Sequence, residues 1–122
     1  MKITVFGEEH ELLLNLRASK EITQKYGGLE EFGELFEGKS IEETIDDVIW
    51  IVTLLAKQGA DVHNLQHPDS PREYLSAEAI ELAPLATLFE LRDAIGGAMM
   101  RGSARHVQSQ AAEGDEKNTQ AG

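Results

Sequence analysis

The segment "DVHNLQHPD" places His63 and His67 four residues apart, between Asp61 and Asp69. Imidazole and carboxylate are ligand types suited to zinc and other transition metals. A helix would bring both imidazoles to one face. Gly59 and Pro68 instead predict a loop, where a spacing has no fixed geometry. Solvated loop histidines are therefore preferred over a metal site, and no metal or cofactor is assigned. A metal site predicts a melting temperature that rises with zinc and loses that rise in His63→Ala.

The other reactive side chains lack partners at useful spacing. Asp46 and Asp47 are adjacent in a predicted helix, so their side chains diverge by about 100° and cannot jointly hold a proton or a cation. Ser19, Ser40 and Ser76 sit in no nucleophile elbow, and no Gly-rich loop has the form of a phosphate cradle. With no cysteine in the chain, thiolate catalysis, disulfides and zinc–thiolate sites are excluded. No catalytic residue is assigned, and the chain is not expected to be an enzyme. "LLAKQGADVHNLQ" resembles the end of an ankyrin repeat, but such repeats stack at a period of about 33 residues, and the chain has no second copy.

Composition narrows the partners. The 122 residues suit one domain, and 22 acids against 11 bases give a net charge of −11. Binding a polyanion relies on Lys and Arg displacing its counterions, so nucleic acid is not expected as a partner. The same repulsion argues against an anionic membrane. The longest nearly unbroken apolar run, Val48 to Ala56, is about half of the roughly 20 residues a membrane span needs. No basic-then-apolar leader opens the chain, so a cytoplasmic protein is expected.

The elements that must position these groups follow from periodicity. "KITVFGEEHELLLNL" reads as a β-hairpin: Ile3 and Val5 alternate with Lys2 and Thr4, and Leu12 and Leu14 with Glu11 and Asn15. Gly7-Glu8 offers the Gly-X pair of a two-residue type II′ turn. Ala18, Ile22 and Tyr26 mark a first helix that Gly27-Gly28 should end. A short second helix is predicted over "LEEFGELFEG", with Leu29, Phe32 and Phe36 on one side. A third runs from Ile41 to about Gly59, opened by a Ser40/Glu43 capping box. Its core stripe is Ile41, Ile45, Val48, Ile49, Val52, Leu55 and Ala56, with Trp50, Ile51 and Leu54 outside it. "GADVHNLQHPDSPRE" reads as a loop, in which Ser70-Pro71-Arg72-Glu73 could cap a short turn. Ser76 opens a helical stretch through Leu82, and Pro84 is placed in the first turn of a last helix. That helix carries Leu85, Leu88, Leu91, Ile95 and Met99, and Gly102 should stop it. The fold class is thus α+β: an N-terminal β-hairpin packed on a bundle of four to five helices. A domain over residues 1–102 is followed by a disordered tail over 103–122.

The acidic stretch "LEEFGELFEGKSIEETIDD" has two readings: a solvated face, or a surface for a basic helical partner. In the second, Phe32, Phe36, Trp50 and Leu54 are the candidate partner-binding residues and the acids steer association. An acidic inhibitor that mimics DNA is an alternative, but nine acids concentrate between Glu30 and Asp61 instead of spacing regularly along the chain. Self-association is a further expectation, since hairpin edges invite strand pairing and the third helix is too apolar to stand alone.

In order and style, "KITVFGEEHELLLNLRASKEI", "LEEFGELFEG", "SIEETIDDVIWIVTLLAKQG" and "LFELRDAIGGAMMRG" are similar to the tail assembly chaperones of long-tailed bacteriophages and prophages. The resemblance covers about residues 1–102 and carries no catalytic motif. It implies a non-enzymatic protein of the host bacterial cytoplasm, absent from the mature virion. Such a protein binds the long, helical, aggregation-prone tape measure protein before the tail tube forms around it. It also implies a longer product made by a −1 ribosomal frameshift, because GAA-AAA-AAC, a slippery sequence, encodes Glu-Lys-Asn, the tripeptide at Glu116-Lys117-Asn118. Each of the three residues has a second codon, so the gene sequence decides whether the slippery heptamer is present.

Overall fold

Lys2–Val5 (β1) and Glu8–Glu11 (β2) pair antiparallel in the register Lys2↔Glu11 to Val5↔Glu8. The register makes Phe6-Gly7 the two-residue turn, a correction to the expected Gly7-Glu8. Phe6 and Gly7 have φ of 49° and 80°. Positive φ at both central positions is the type I′ pattern, whose twist matches that of the strands it joins. Ile3 and Val5 point into the core. Leu12, just past β2, continues the ladder through its N–H to the Met1 carbonyl at 2.7 Å.

The computed structural model describes residues 1–28 and 39–111, with 104–111 as backbone alone. The predicted helix carrying Phe32 and Phe36, and the tripeptide Glu116-Lys117-Asn118, lie outside the described residues.

Helix α1 spans Leu16–Tyr26. Asn15 caps it by accepting from the Ala18 N–H at 2.9 Å. Gly27 closes it in the left-handed conformation, its N–H donating to the Thr23 carbonyl at 2.8 Å. Ala18 and Ile22 are fully buried, as their spacing predicted.

Helix α2 spans Ile41–Gln66. The capping box is present: the Glu43 N–H donates to Ser40 Oγ and the Ser40 N–H to Glu43 Oε1, each at 3.2 Å. The helix does not end near Gly59. At 1.5 Å per residue its 26 residues reach about 39 Å. Gly59 is there because the hairpin lies against it: a Cβ at this position would stand 2.1 Å from the Glu11 carbonyl oxygen. Beside this approach the Leu13 N–H donates to the Leu55 carbonyl at 3.2 Å. The burial pattern also differs from the expected stripe. Val48, Val52, Leu55 and Ala56 are buried, but so are Ile51 and Leu54, while Ile41 is exposed. α2 meets α1, β2 and both later helices, so it is covered on more than one side and its apolar arc is correspondingly wide.

Only from His67 onward is the "GADVHNLQHPDSPRE" segment non-helical. Asn64 pins this connection to α2, its side chain donating to the Arg72 carbonyl at 3.1 Å and accepting from the Arg72 N–H at 2.7 Å. Ser76 caps the short helix α3, Ala77–Glu81. Helix α4 spans Leu85–Ala111. Pro84 precedes it instead of lying in its first turn, and its carbonyl accepts from the Thr87 N–H at 2.9 Å. Gly102 does not stop α4, which runs on to Ala111. Here too the glycine records a close approach, since a Cβ on Gly102 would lie 2.9 Å from Leu14 Cβ.

The described residues therefore combine an N-terminal antiparallel hairpin with four helices, a mixed α and β architecture. Its core joins Ile3, Val5 and Leu12 of the hairpin segment to Ile22, to Ile51 and Leu55 of α2, and to Leu91 and Ile95 of α4. No helix among the described residues is long and apolar enough to cross a membrane.

Candidate functional site

Because α2 overruns Gly59, His63 stands in its last turn and His67 is its C-cap residue. The two rings are neighbours, with centroids 4.9 Å apart and planes inclined at 36°. This corrects the loop reading of the pair. The surrounding groups are already engaged. His63 Nε2 lies 2.9 Å from the Ser70 carbonyl, to which its N–H donates. Asp61 accepts from Arg17 at 3.0 Å and from the Tyr74 hydroxyl. Among the described residues, no group of three or more His, Asp or Glu side chains is placed to hold a metal ion.

Asp46 and Asp47 diverge, as neighbours on a helix must. Asp47 accepts from Lys39 at 3.1 Å and from the Tyr26 hydroxyl at 3.2 Å. Desolvation first, then the Asp47 charge and hydrogen bond, push the Tyr26 phenol pKa above its ordinary value. Asp46 instead borders a depression beside Trp50. Ser40 and Ser76 are helix caps, so their hydroxyls are occupied with backbone N–H groups.

Of the expected partner-binding residues, Trp50 is half-buried. Its ring meets Tyr26 edge-on at 5.7 Å and 85°, and the Lys25 ammonium lies 5.0 Å from its centroid. These contacts fix the indole against α1. Leu54 lies next to it but is only 8% exposed, so it serves as the floor of the depression and not as a projecting anchor. Phe32 and Phe36 lie outside the described residues.

A further concavity was not expected. Ile45, Val48 and Ile49 of α2 form one wall, Leu85, Leu88 and Leu91 of α4 the other, and Ile80, Ala83 and Pro84 close one end. Its volume is about 210 Å³, and among the described residues Glu81 and Thr87 contribute its only polar side chains. Leu85 is more than half exposed, as are Ile41, Leu82 and Phe89, their near neighbours along the chain. One signal in the sequence pointed here. At 100° per residue, Leu85, Leu88, Phe89 and Leu91 span about 160° of α4, more than one buried face requires. What hid the groove is that its walls come from three elements separated in sequence.

The arrangement can bury apolar groups of another molecule. Among the described residues, it brings together no nucleophile, base and oxyanion donors around a common point. Comparison with known proteins finds no family model, no curated protein and no solved structure that matches this chain.

Proposed function

We propose that this chain is a tail assembly chaperone of long-tailed bacteriophages or prophages. In the host cytoplasm it binds the tape measure protein, keeps it soluble while the tail assembles, and leaves before the virion is complete. The observation that carries this reading is the open apolar groove between α2 and α4, lined by exposed Leu85, with Ile41, Leu82 and Phe89 exposed near it in the chain. A long helical client exposes an apolar stripe before assembly, and such a groove can cover part of it reversibly. The net charge of −11 would keep several copies on one client apart and in solution. The reading includes a longer product made by a frameshift over codons 116–118; codons that do not spell a slippery heptamer remove that part.

The test is co-expression with a tape measure protein from a long-tailed phage. A larger soluble fraction of the client, and its recovery with this chain, support the reading. A client that precipitates equally with and without the chain refutes it.

A further inference from the structure

We infer that the groove between α2 and α4 takes a basic amphipathic helix, one whose apolar stripe is flanked by Lys and Arg. This rests on reading the groove as the client surface, and it specifies which client segments bind there.

The size of the groove selects the occupant first. About 210 Å³ falls below the roughly 300–1,000 Å³ of sites that enclose small molecules. It suits a few aliphatic side chains inserted from a surface laid across the opening. Ile45 and Ile49 line the groove one turn apart, and exposed Ile41 lies one turn before them, so the apolar edge that α2 offers is about 12 Å long. Two to three turns of a helix cover that length, presenting apolar residues at i, i+3 or i+4, and i+7.

Charge selects the class of helix. Residues 41–49 and 76–91, which supply the groove walls, contain no Lys, Arg or His; the flanking bases are Lys39, paired with Asp47 at 3.1 Å, and Arg92. Glu42, Asp46, Glu78, Glu81 and Glu90 lie within them, none in an ion pair with a base among the described residues. A helix flanked by acids would meet net repulsion here. Lys and Arg could instead lay their aliphatic stems over the exposed leucines and direct their charges at the carboxylates. The same charge disfavours a second copy of this chain. A two-fold pairing through the groove would place both acidic surrounds against each other.

The experiment uses two synthetic peptides of about 15 residues, long enough to form a helix when bound. Both carry the same leucine stripe, flanked by Lys in one and by Glu in the other. Fluorescence anisotropy at physiological salt measures their binding to the full chain and to two variants. Leu85→Glu alters the groove at an exposed position. Leu65→Glu makes the same charge change at another exposed position, about 24 Å along α2 from Ile49. The expected result is that the Lys peptide binds wild type and Leu65→Glu alike and Leu85→Glu at least about 10-fold more weakly, a loss near the 1.4 kcal/mol that a factor of ten represents. The Glu peptide should not bind.

Equal affinity of the two variants for the Lys peptide, unchanged or raised by the added carboxylate, would show attraction by charge alone and overturn the assignment. So would equal binding of both peptides, or a wild-type dimer that Leu85→Glu dissociates. Failure of the Lys peptide with client rescue intact overturns this inference and leaves the chaperone reading standing. Groove-dependent peptide binding without client rescue keeps the groove assignment and refutes the client.

Discussion

Replacing glycine with alanine inside a helix ordinarily stabilises it, by up to about 1 kcal/mol. In this protein the sign should depend on which helical glycine is changed. At Gly96, in α4, a Cβ meets nothing within 4 Å, so Gly96→Ala should raise stability by about 0.5–1 kcal/mol. At Gly59 the new carbon would stand 2.1 Å from the Glu11 carbonyl oxygen and 2.9 Å from its carbon. These are backbone atoms of the hairpin and cannot swing aside as a side-chain tip can. Relief to an ordinary contact requires the hairpin segment to move off α2 by more than 1 Å, roughly. Such overpacking costs about 1–3 kcal/mol. The movement also stretches the Leu13 N–H bond to the Leu55 carbonyl, already 3.2 Å long, at about 1 kcal/mol more. Subtracting the helix-propensity gain leaves a net loss of about 2 kcal/mol. For a domain near 100 residues this lowers Tm by roughly 8–16 °C, against a rise of a few degrees for Gly96→Ala. Thermal melts followed by circular dichroism measure both. If Gly59→Ala melts above wild type, the hairpin does not lie on α2 at this point, and the explanation of why α2 continues through Gly59 fails with it.

Four further outcomes follow from single contacts. Asn15→Ala removes the α1 cap and one partner of Gln58, which is 1% exposed and accepts from Asn15 at 3.4 Å; denaturant titration should show a loss of about 2 kcal/mol. Leu12→Ala empties a site where hairpin and helices meet, with Leu12 only 1% exposed, and should cost about 2–5 kcal/mol by the same titration. Ser40→Ala removes the hydroxyl that accepts from the Glu43 N–H, leaving only the backbone half of the α2 capping box, and should cost about 1 kcal/mol. The Tyr26 phenol has a raised pKa, from burial and then from Asp47. The unfolded chain therefore loses this proton first: the stabilisation is complete below about pH 10 and is lost as pH rises from there toward the higher folded-state value. Tyr26→Phe should flatten the decline of stability above that pH, and an identical alkaline slope in variant and wild type would refute the assignment.

Local interactions were legible wherever one stretch of chain contains both partners. The Ser40/Glu43 box, the Ser76 cap, the Gly27 terminator and the burial of Ile3, Val5, Ala18 and Ile22 each depend on residues within a few positions of one another. The hairpin was legible but its turn was displaced by one residue, because Phe6 accepts a left-handed conformation that residue preferences assign to glycine. The candidate site was less legible. Trp50 was recognised as lying outside the core stripe, but the same pattern misplaced Leu54 and Ile51, because a helix covered on several sides has no single apolar face. The leucines of α4 mark its amphipathic spacing in the sequence, but that spacing does not show that Leu85 is exposed while Leu88 and Leu91 are buried beside it.

Chain-local chemistry thus specified a hairpin, the starts of the helices and an acidic, cysteine-free surface. Where the two long helices end was settled by packing. Gly59 and Gly102 look like stops in one dimension, yet each sits where Glu11 or Leu14 approaches the helix too closely for a Cβ. A glycine required by a distant neighbour has the same one-letter code as a glycine required by a turn, and only the approach of the second chain segment separates them. The groove has the same origin: Ile45, Ile80 and Leu88 become one surface only after α2, α3 and α4 have met.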